Sequence, residues 1–122
     1  MVTAVTSFGR SGLYDWLVQR FTAIVLAAYT VLIVAFIAMQ SNLDYATWVE
    51  FHRQTWMRIF SLLCVLSVIA HSWIGLWGVL TDYITTRMIG GSAVALRVSI
   101  LGLFVVVAFA FVVWAVEILW GF

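Results

Sequence analysis

One histidine in this chain lies where an imidazole is costly unless something binds it. His71 is near the middle of a run without Asp, Glu, Lys or Arg, Ile59 to Thr81, which is long enough to cross a bilayer as a helix. Its ring could hydrogen-bond a neighbouring helix, as polar residues do in membrane bundles. Alternatively, the neutral ring could bind a metal, and haem iron is the commonest metal cofactor on an isolated membrane-buried histidine. The residues alone leave both interpretations open.

Small residues accompany His71 along one face of the predicted helix. The members of this face are spaced by three or four positions, and they are Cys64, Ser67, His71, Gly75, Gly78 and Asp82. A stripe of small side chains lets another backbone, or a flat cofactor, come close to the helix axis. The pattern therefore favours close packing at His71 without identifying what packs there.

A second histidine in the chain is too far away to share one metal with His71. His52 precedes it by 19 residues, which is about 28 Å if the intervening chain is all helical. Ligation by a methionine of this chain stays open, although Met39, Met57 and Met88 all fall near predicted span ends. A haem site with two histidine ligands therefore predicts a second histidine from another polypeptide.

Three further polar residues are expected near one end of the same site. Asp82 follows His71 by 11 residues, which returns to almost the same face about 16 Å further along. With Tyr83 and Arg20 it would supply a carboxylate, a phenol and a guanidinium, suited to haem propionates or a quinone headgroup. Each also has a plainer explanation: Asp82 pairs with Arg87 or caps the helix, Tyr83 lies at the lipid interface, and Arg20 anchors to lipid phosphate.

The elements that position these residues are predicted to be membrane helices. The chain has 122 residues, of which 66% are hydrophobic and 9% charged, and it contains no Pro. Apolar stretches predict an all-α integral membrane fold with spans near 16–39, 57–80 and 96–119. Residues 1–122 are then a single membrane domain, with a short amphipathic helix around Tyr45, Trp48 and Phe51 in the first connection. No segment remains for a soluble catalytic domain, and no nucleic-acid partner is expected.

Arginine alone decides the expected orientation, because the chain has no Lys. Arg10 and Arg20 precede the first span and Arg87 and Arg97 lie in the second connection, against two in the first connection, Arg53 and Arg58. The positive-inside rule then places the N-terminus in the cytoplasm and the C-terminus in the periplasm. The first span is too long for a signal peptide and is not preceded by a transit segment, which favours a multi-pass protein of a bacterial inner membrane.

The residues around His71 resemble a known family. The motifs are His71-Ser72-Trp73-Ile74-Gly75-Leu76-Trp77, Leu80-Thr81-Asp82-Tyr83, the N-terminal Gly9-Arg10, Gly12 and Asp15, and Arg20-Phe21-Thr22-Ala23-Ile24-Val25-Leu26. They are similar to the small hydrophobic membrane anchor subunit of bacterial succinate dehydrogenase, the D subunit of complex II. The resemblance covers all three predicted helices.

This resemblance implies a membrane-anchoring subunit that helps carry electrons from succinate oxidation to ubiquinone. His71 would be one axial ligand of a b-type haem, and a second anchor subunit would supply the other histidine. Tyr83 would hydrogen-bond ubiquinone with support from Asp82, and Arg20 would lie near a haem propionate. The expected partners are this second anchor, the iron-sulfur and flavoprotein subunits, and membrane lipid. Family members can carry histidine at the position of Tyr14, whose role is open.

Two other functions remain open from the sequence. The chain could be the anchor of another quinone-linked oxidoreductase, such as fumarate reductase, which would share the architecture. It could also be a structural membrane protein without haem, with His71 in a helix contact. Since it has no flavin or cluster ligands, the chain is not expected to oxidise succinate by itself.

Overall fold

The computed structural model describes residues 12–122, and its regular structure in this range is helical throughout. The helices are α1 (Gly12–Met39), α2 (Tyr45–Arg53), α3 (Thr55–Tyr83), α4 (Thr86–Ile89) and α5 (Ala93–Trp120), with a 3-10 turn over Gly90–Ser92. The all-α prediction is confirmed for this part of the chain. Arg10, which contributed to the orientation argument, and Gly9 of the family motif lie outside the described residues.

Three of these helices, α1, α3 and α5, are long and apolar enough to cross a membrane. They contain 28, 29 and 28 residues, so each is about 42 Å long and exceeds the roughly 30 Å hydrocarbon core of a bilayer. The three predicted spans lie within them. Because the chain has no Pro, no helix interior loses a backbone donor to a proline ring.

Helix α3 occupies the middle of the arrangement. It packs against both α1 and α5, whereas α1 and α5 have at most a marginal contact with each other. The hydrogen bonds between Tyr29 and Ser61 and between Thr22 and His71 show that α1 and α3 run antiparallel. Large apolar side chains remain exposed along all three long helices. The chain therefore buries little of its own apolar surface and leaves the rest for lipid or partner helices.

The first connection folds into α2 and closes one end of the bundle, called here the α2 end. Asp44 begins the helix, since its Oδ1 accepts a 2.8 Å hydrogen bond from the backbone N–H of Thr47. Phe51 stacks on Phe36 of α1 with ring centroids 3.9 Å apart. The predicted amphipathic helix is thus confirmed, although Tyr45, expected on its apolar face, is 77% exposed.

The opposite end, called here the α4 end, is built from a shorter connection. Helix α3 stops at Tyr83, and α4 begins after Thr85, whose hydroxyl accepts from the backbone N–H of Met88 at 3.3 Å. Gly90 has φ +80°, a conformation that favours glycine and lets the chain turn into α5. Asp82 and Tyr83 therefore lie at a helix end that is bordered by a tight turn.

Candidate functional site

His71 lies deep within α3 and is held by a neighbouring helix. Its Nδ1 is 3.1 Å from the hydroxyl oxygen of Thr22 on α1, and its side chain is half-buried. The other ring nitrogen, Nε2, makes no hydrogen bond within residues 12–122. The helix contact considered from the sequence is therefore present, but it uses only one nitrogen and leaves the second available to a ligand.

The small-residue face of α3 divides into two halves. Toward the α2 end, Ser67 is buried, and Ser61 one turn and a half earlier shares a 2.8 Å hydrogen bond with Tyr29 of α1. Toward the α4 end, Gly75 is exposed, and a Cβ at Gly75 or Gly78 would meet no atom within 4 Å. The chain itself fills the first half, and only the second half is open beside His71.

Asp82 and Tyr83 are both exposed at the end of α3, with 62% of Tyr83 accessible. The ion pair of Asp82 with Arg87, one of the plainer explanations, is not found: within the described range the ion pair present joins Glu50 to Arg53 at 3.8 Å. Asp82 does not cap α3 either, because the helix ends with the backbone N–H of Ile84 bonded to the carbonyl of Leu80. Both side chains are open to groups outside this chain.

Arg20 lies at a different depth from these two residues. It is two positions before Thr22, so it is only about 3 Å along the axis from the level of His71, whereas Asp82 is about 16 Å from that level. The expectation that Arg20 and Asp82 share one depth is therefore wrong, for the reason that the antiparallel register sets Arg20 beside the middle of α3. Its guanidinium sits over the ring of Trp16, 5.4 Å from the centroid, on an exposed part of α1.

The second histidine, His52, lies at the α2 end. Its Nδ1 donates to the carbonyl of Trp48 at 2.9 Å, its ring packs on those of Trp48 and Phe51, and only 6% of the residue is exposed. The 16 residues from Thr55 to His71 span about 24 Å of helix, and three residues of chain can recover at most about 10 Å of that. His52 and His71 therefore cannot bind one iron.

Two features of this region were not predicted from the sequence. Thr22 is part of a sequence motif but had no predicted role, yet it is 4% exposed and makes the sole hydrogen bond to the His71 imidazole within residues 12–122. An apolar groove of about 380 Å³ also runs between α1, α3 and α5, and Tyr14, Asp15, Trp73 and Phe104 are among its lining residues. Trp73 is two positions from His71 on the other side of α3, so the groove is separate from the imidazole.

The donor set at His71 restricts which metal group could be held there. The described residues contain no group of three or more His, Cys, Asp and Glu side chains placed to hold a metal ion. Haem iron takes four nitrogens from its porphyrin and needs only axial ligands from protein. One free imidazole nitrogen beside an open glycine face therefore fits a flat haem better than a metal ion bound by protein ligands alone.

Comparison with known proteins gives an independent view of the whole chain. No family model matches it. A curated relative, the succinate dehydrogenase hydrophobic membrane anchor subunit of Coxiella burnetii, is 32% identical over 111 residues, covering 91% of this chain and 90% of the relative. A match of that length includes most of all three long helices. The resemblance drawn from the motifs is thereby confirmed, and this chain belongs to the succinate dehydrogenase hydrophobic membrane anchor subunit family.

Proposed function

We propose that this chain anchors a succinate dehydrogenase in the bacterial inner membrane, binds a b-type haem through His71, and helps electrons from succinate oxidation reach ubiquinone. The flavoprotein and iron-sulfur subunits would oxidise succinate and dock on the cytoplasmic side. A second anchor subunit would complete the membrane domain. Family membership supports the anchoring role, and the geometry around His71 supports the haem.

The haem proposal rests mainly on the hydrogen bonding of the His71 ring. Its ring is at mid-span, Thr22 fixes Nδ1, and Nε2 remains free beside the open face at Gly75. When bound, the haem supplies one-electron transfer at a potential that its axial ligands help to set. The chain contributes one ligand, because His52 is fixed at the α2 end by Trp48. The other axial histidine is therefore assigned to the second anchor subunit.

Tyr83 and Asp82 are proposed for the quinone. The Tyr83 hydroxyl is a donor suited to a quinone carbonyl, and the Asp82 carboxylate can accept a hydrogen bond or hold a proton that the reduced quinone needs. Both are exposed at the end of α3, about 16 Å along the axis from His71. Arg20 is assigned to a haem propionate, because its depth is close to that of His71 and its guanidinium is exposed.

The proposed orientation follows the arginines. Arg87 and Arg97 lie near the α4 end and Arg53 and Arg58 near the α2 end, and the sequence adds Arg10 before α1, on the side of the N-terminus. The α4 end, with Asp82 and Tyr83, then faces the cytoplasm. This brings the proposed quinone residues to the side on which the soluble subunits would deliver electrons.

The haem ligand is tested by replacing His71 in the assembled complex. His71→Ala should abolish the b-type haem signal in a reduced-minus-oxidised spectrum and in extracted haem per complex, because residues 12–122 offer no second ligand at that depth. His52→Gln is the matched control, and it should keep wild-type haem. A His71→Ala complex with unchanged haem content would refute the assignment.

The wild-type spectrum also separates this proposal from a structural alternative. The Thr22 to His71 hydrogen bond would serve equally well in a membrane protein that binds no haem, where it ties α1 to α3. Such a protein would give no haem absorption in the purified wild-type complex. A haem spectrum that survives purification excludes it.

The quinone assignment is tested at the phenol. Tyr83→Phe should lower succinate-to-ubiquinone electron transfer by about tenfold, the order expected for one lost hydrogen bond of about 1.5 kcal/mol. Succinate oxidation with a soluble artificial acceptor should stay unchanged, since that route bypasses the membrane. Tyr45→Phe, an exposed tyrosine at the α2 end, is the control and should alter neither rate. Equal loss of both activities would indicate failed assembly instead of a quinone contact.

A further inference from the structure

The hydroxyl of Thr22 has three neighbours but a single proton. It lies 2.8 Å from the carbonyl oxygen of Val18, 3.1 Å from that of Gln19 and 3.1 Å from Nδ1 of His71. The carbonyl oxygens have lone pairs and no proton, so they can only accept. Two oxygens in contact at 2.8 Å need a proton between them. The Thr22 proton therefore belongs to the bond with its own helix, at Val18.

This use of the proton fixes the direction of the contact with His71. Once the hydroxyl donates to Val18, the Thr22 oxygen presents a lone pair to Nδ1. If Nδ1 also carried a lone pair instead of a hydrogen, the two lone pairs would repel each other. Nδ1 must then carry a hydrogen and donate it to Thr22. A neutral ring protonated at Nδ1 has its free lone pair on Nε2, and a doubly protonated ring at mid-span would bring a costly charge into the membrane.

We infer that Thr22 is a positioning residue that holds His71 in the tautomer with hydrogen on Nδ1 and so prepares Nε2 as the axial ligand. This inference rests on the proposed haem function. Metal-bound histidines usually donate their other N–H to an acceptor, which fixes the ring and strengthens its donation to the metal. Here the Thr22 hydroxyl is the acceptor. Because Thr22 lies on α1, the orientation of the His71 ring depends on how α1 packs against α3.

The rigidity of Thr22 suits this role. The residue is 4% exposed, its side chain is branched at Cβ, and its hydroxyl is tied to its own helix. The imidazole therefore meets an acceptor whose position and direction are both set before haem binds. Such preorganisation saves the ordering that a mobile partner would require.

The test compares four forms of the assembled complex: the wild type, Thr22→Val, Thr22→Ser and Thr30→Val. Valine keeps the shape of threonine without the hydroxyl, and serine keeps the hydroxyl. Thr30 is the matched control, because it makes the same 2.8 Å hydrogen bond to its own helix, at Leu26, on an exposed part of α1 away from His71. The readouts are haem midpoint potential, the low-spin electron paramagnetic resonance signal of oxidised haem, and the rate of haem transfer to excess apomyoglobin.

We expect Thr22→Val to shift the midpoint potential upward, because an imidazole without its hydrogen-bond acceptor donates less to ferric iron. Haem transfer should become about tenfold faster, at the lower end of the effect of losing such a partner. The resonance signal should shift as well. Thr22→Ser and Thr30→Val should resemble the wild type in all three readouts.

Each contrary result has a distinct meaning. Wild-type potential, signal and transfer rate in Thr22→Val would overturn the role of the hydroxyl, and so would equal changes in Thr22→Ser and Thr22→Val, which would indicate packing alone. If Thr22→Val does not assemble, Thr22→Ala, which cannot clash, is judged by the same criteria. A wild-type complex without haem, or haem retained in His71→Ala, would instead overturn the proposed function.

Discussion

The two histidines of this chain show how the two ends of the bundle differ. His52 at the α2 end donates from Nδ1 to a carbonyl of its own helix and is buried among aromatic rings. His71 also bonds through Nδ1, but to Thr22 on the neighbouring helix α1, and its ring is only half-buried. Within the described residues each ring hydrogen-bonds through Nδ1 alone, so the two histidines differ in their surroundings: His52 is enclosed by aromatic rings, whereas His71 lies half-buried next to the open glycine face.

The surroundings of each histidine repeat this difference. Near the α2 end, Met57 is fully buried, Ser61 is bonded to Tyr29, and Phe36 stacks on Phe51. From His71 to the α4 end, the glycine face is open and the polar side chains of Asp82 and Tyr83 are exposed. One half of the bundle is completed by its own residues, and the other half leaves its polar side chains exposed.

The largest expected effect comes from filling the open half. Gly75→Leu adds a side chain where this chain has no atom within 4 Å, so the subunit alone can accommodate it. If a haem or a partner backbone packs there, overpacking costs about 1–3 kcal/mol, and haem per complex should fall about tenfold or more. The measurement is extracted haem relative to the amount of assembled complex.

Gly102→Leu is the control for that substitution. Gly102 is an exposed glycine of α5 whose surroundings are equally empty, and its replacement should leave haem unchanged. Wild-type haem content in Gly75→Leu would show that the open face receives neither a flat group nor a close backbone. The contrast between the two ends would then be one of lipid exposure only.

The sequence was a good guide to the helices and a poor one to their mutual register. Apolar length, the absence of Pro and the arginine borders were sufficient to predict three long helices, because these properties act within one segment. The amphipathic spacing and Asp44 also indicate α2 from local residues. Local residues do not show which side chains hold α2 on the bundle: Tyr45 is exposed, and the aromatic cluster depends on Phe36 of another helix.

The site residues show the same limit. His71 and its small-residue face could be predicted because both lie on α3, but the role of Thr22 depends on which residue of α1 lies beside His71. No pattern within a single helix contains that information. Arg20 was placed with Asp82 because both are near span ends, and the antiparallel register separates them by about 13 Å along the axis. The roles of His71, Asp82, Tyr83 and Arg20 toward haem and quinone stay predictions.

A smaller effect is expected from opening the closed half. Tyr29→Phe removes the hydroxyl bonded to Ser61 while the edge-to-face contact with Phe60 can remain. Hydrogen bonds between membrane helices average about 0.6 kcal/mol, so the complex should become less stable by about that amount. Reversible unfolding in detergent, measured for Tyr29→Phe, Ser61→Ala and the double variant, should give a coupling of that size. Purely additive effects would mean that the bond contributes nothing to holding α1 on α3.

The smallest expected effect concerns how α2 begins, and it depends on pH. Hydrogen bonds from Thr47, first from its side chain and then from its backbone, lower the pKa of Asp44 from its ordinary value of 3.8. Because the folded pKa is below the unfolded one, the stabilising contribution is complete above the unfolded value and is lost as pH falls through the folded value. In the wild type, protection of the Thr47 and Trp48 amides from hydrogen exchange, corrected for intrinsic rates, should therefore decline below about pH 4.

Two substitutions of Asp44 separate the charge from the cap. Asparagine is also a good N-cap but does not titrate, so Asp44→Asn should keep its protection across this pH range, and Asp44→Ala should be less protected at every pH. A wild-type profile parallel to that of Asp44→Asn would show that the Asp44 charge does not stabilise α2. Since the ring of His52 is carried on this helix, loosening α2 in the alanine variant should expose His52 to solvent while leaving haem content unchanged. An exposed His52 together with unchanged haem content is expected only if the α2 end is held by its own residues and the haem depends on the other half of the bundle.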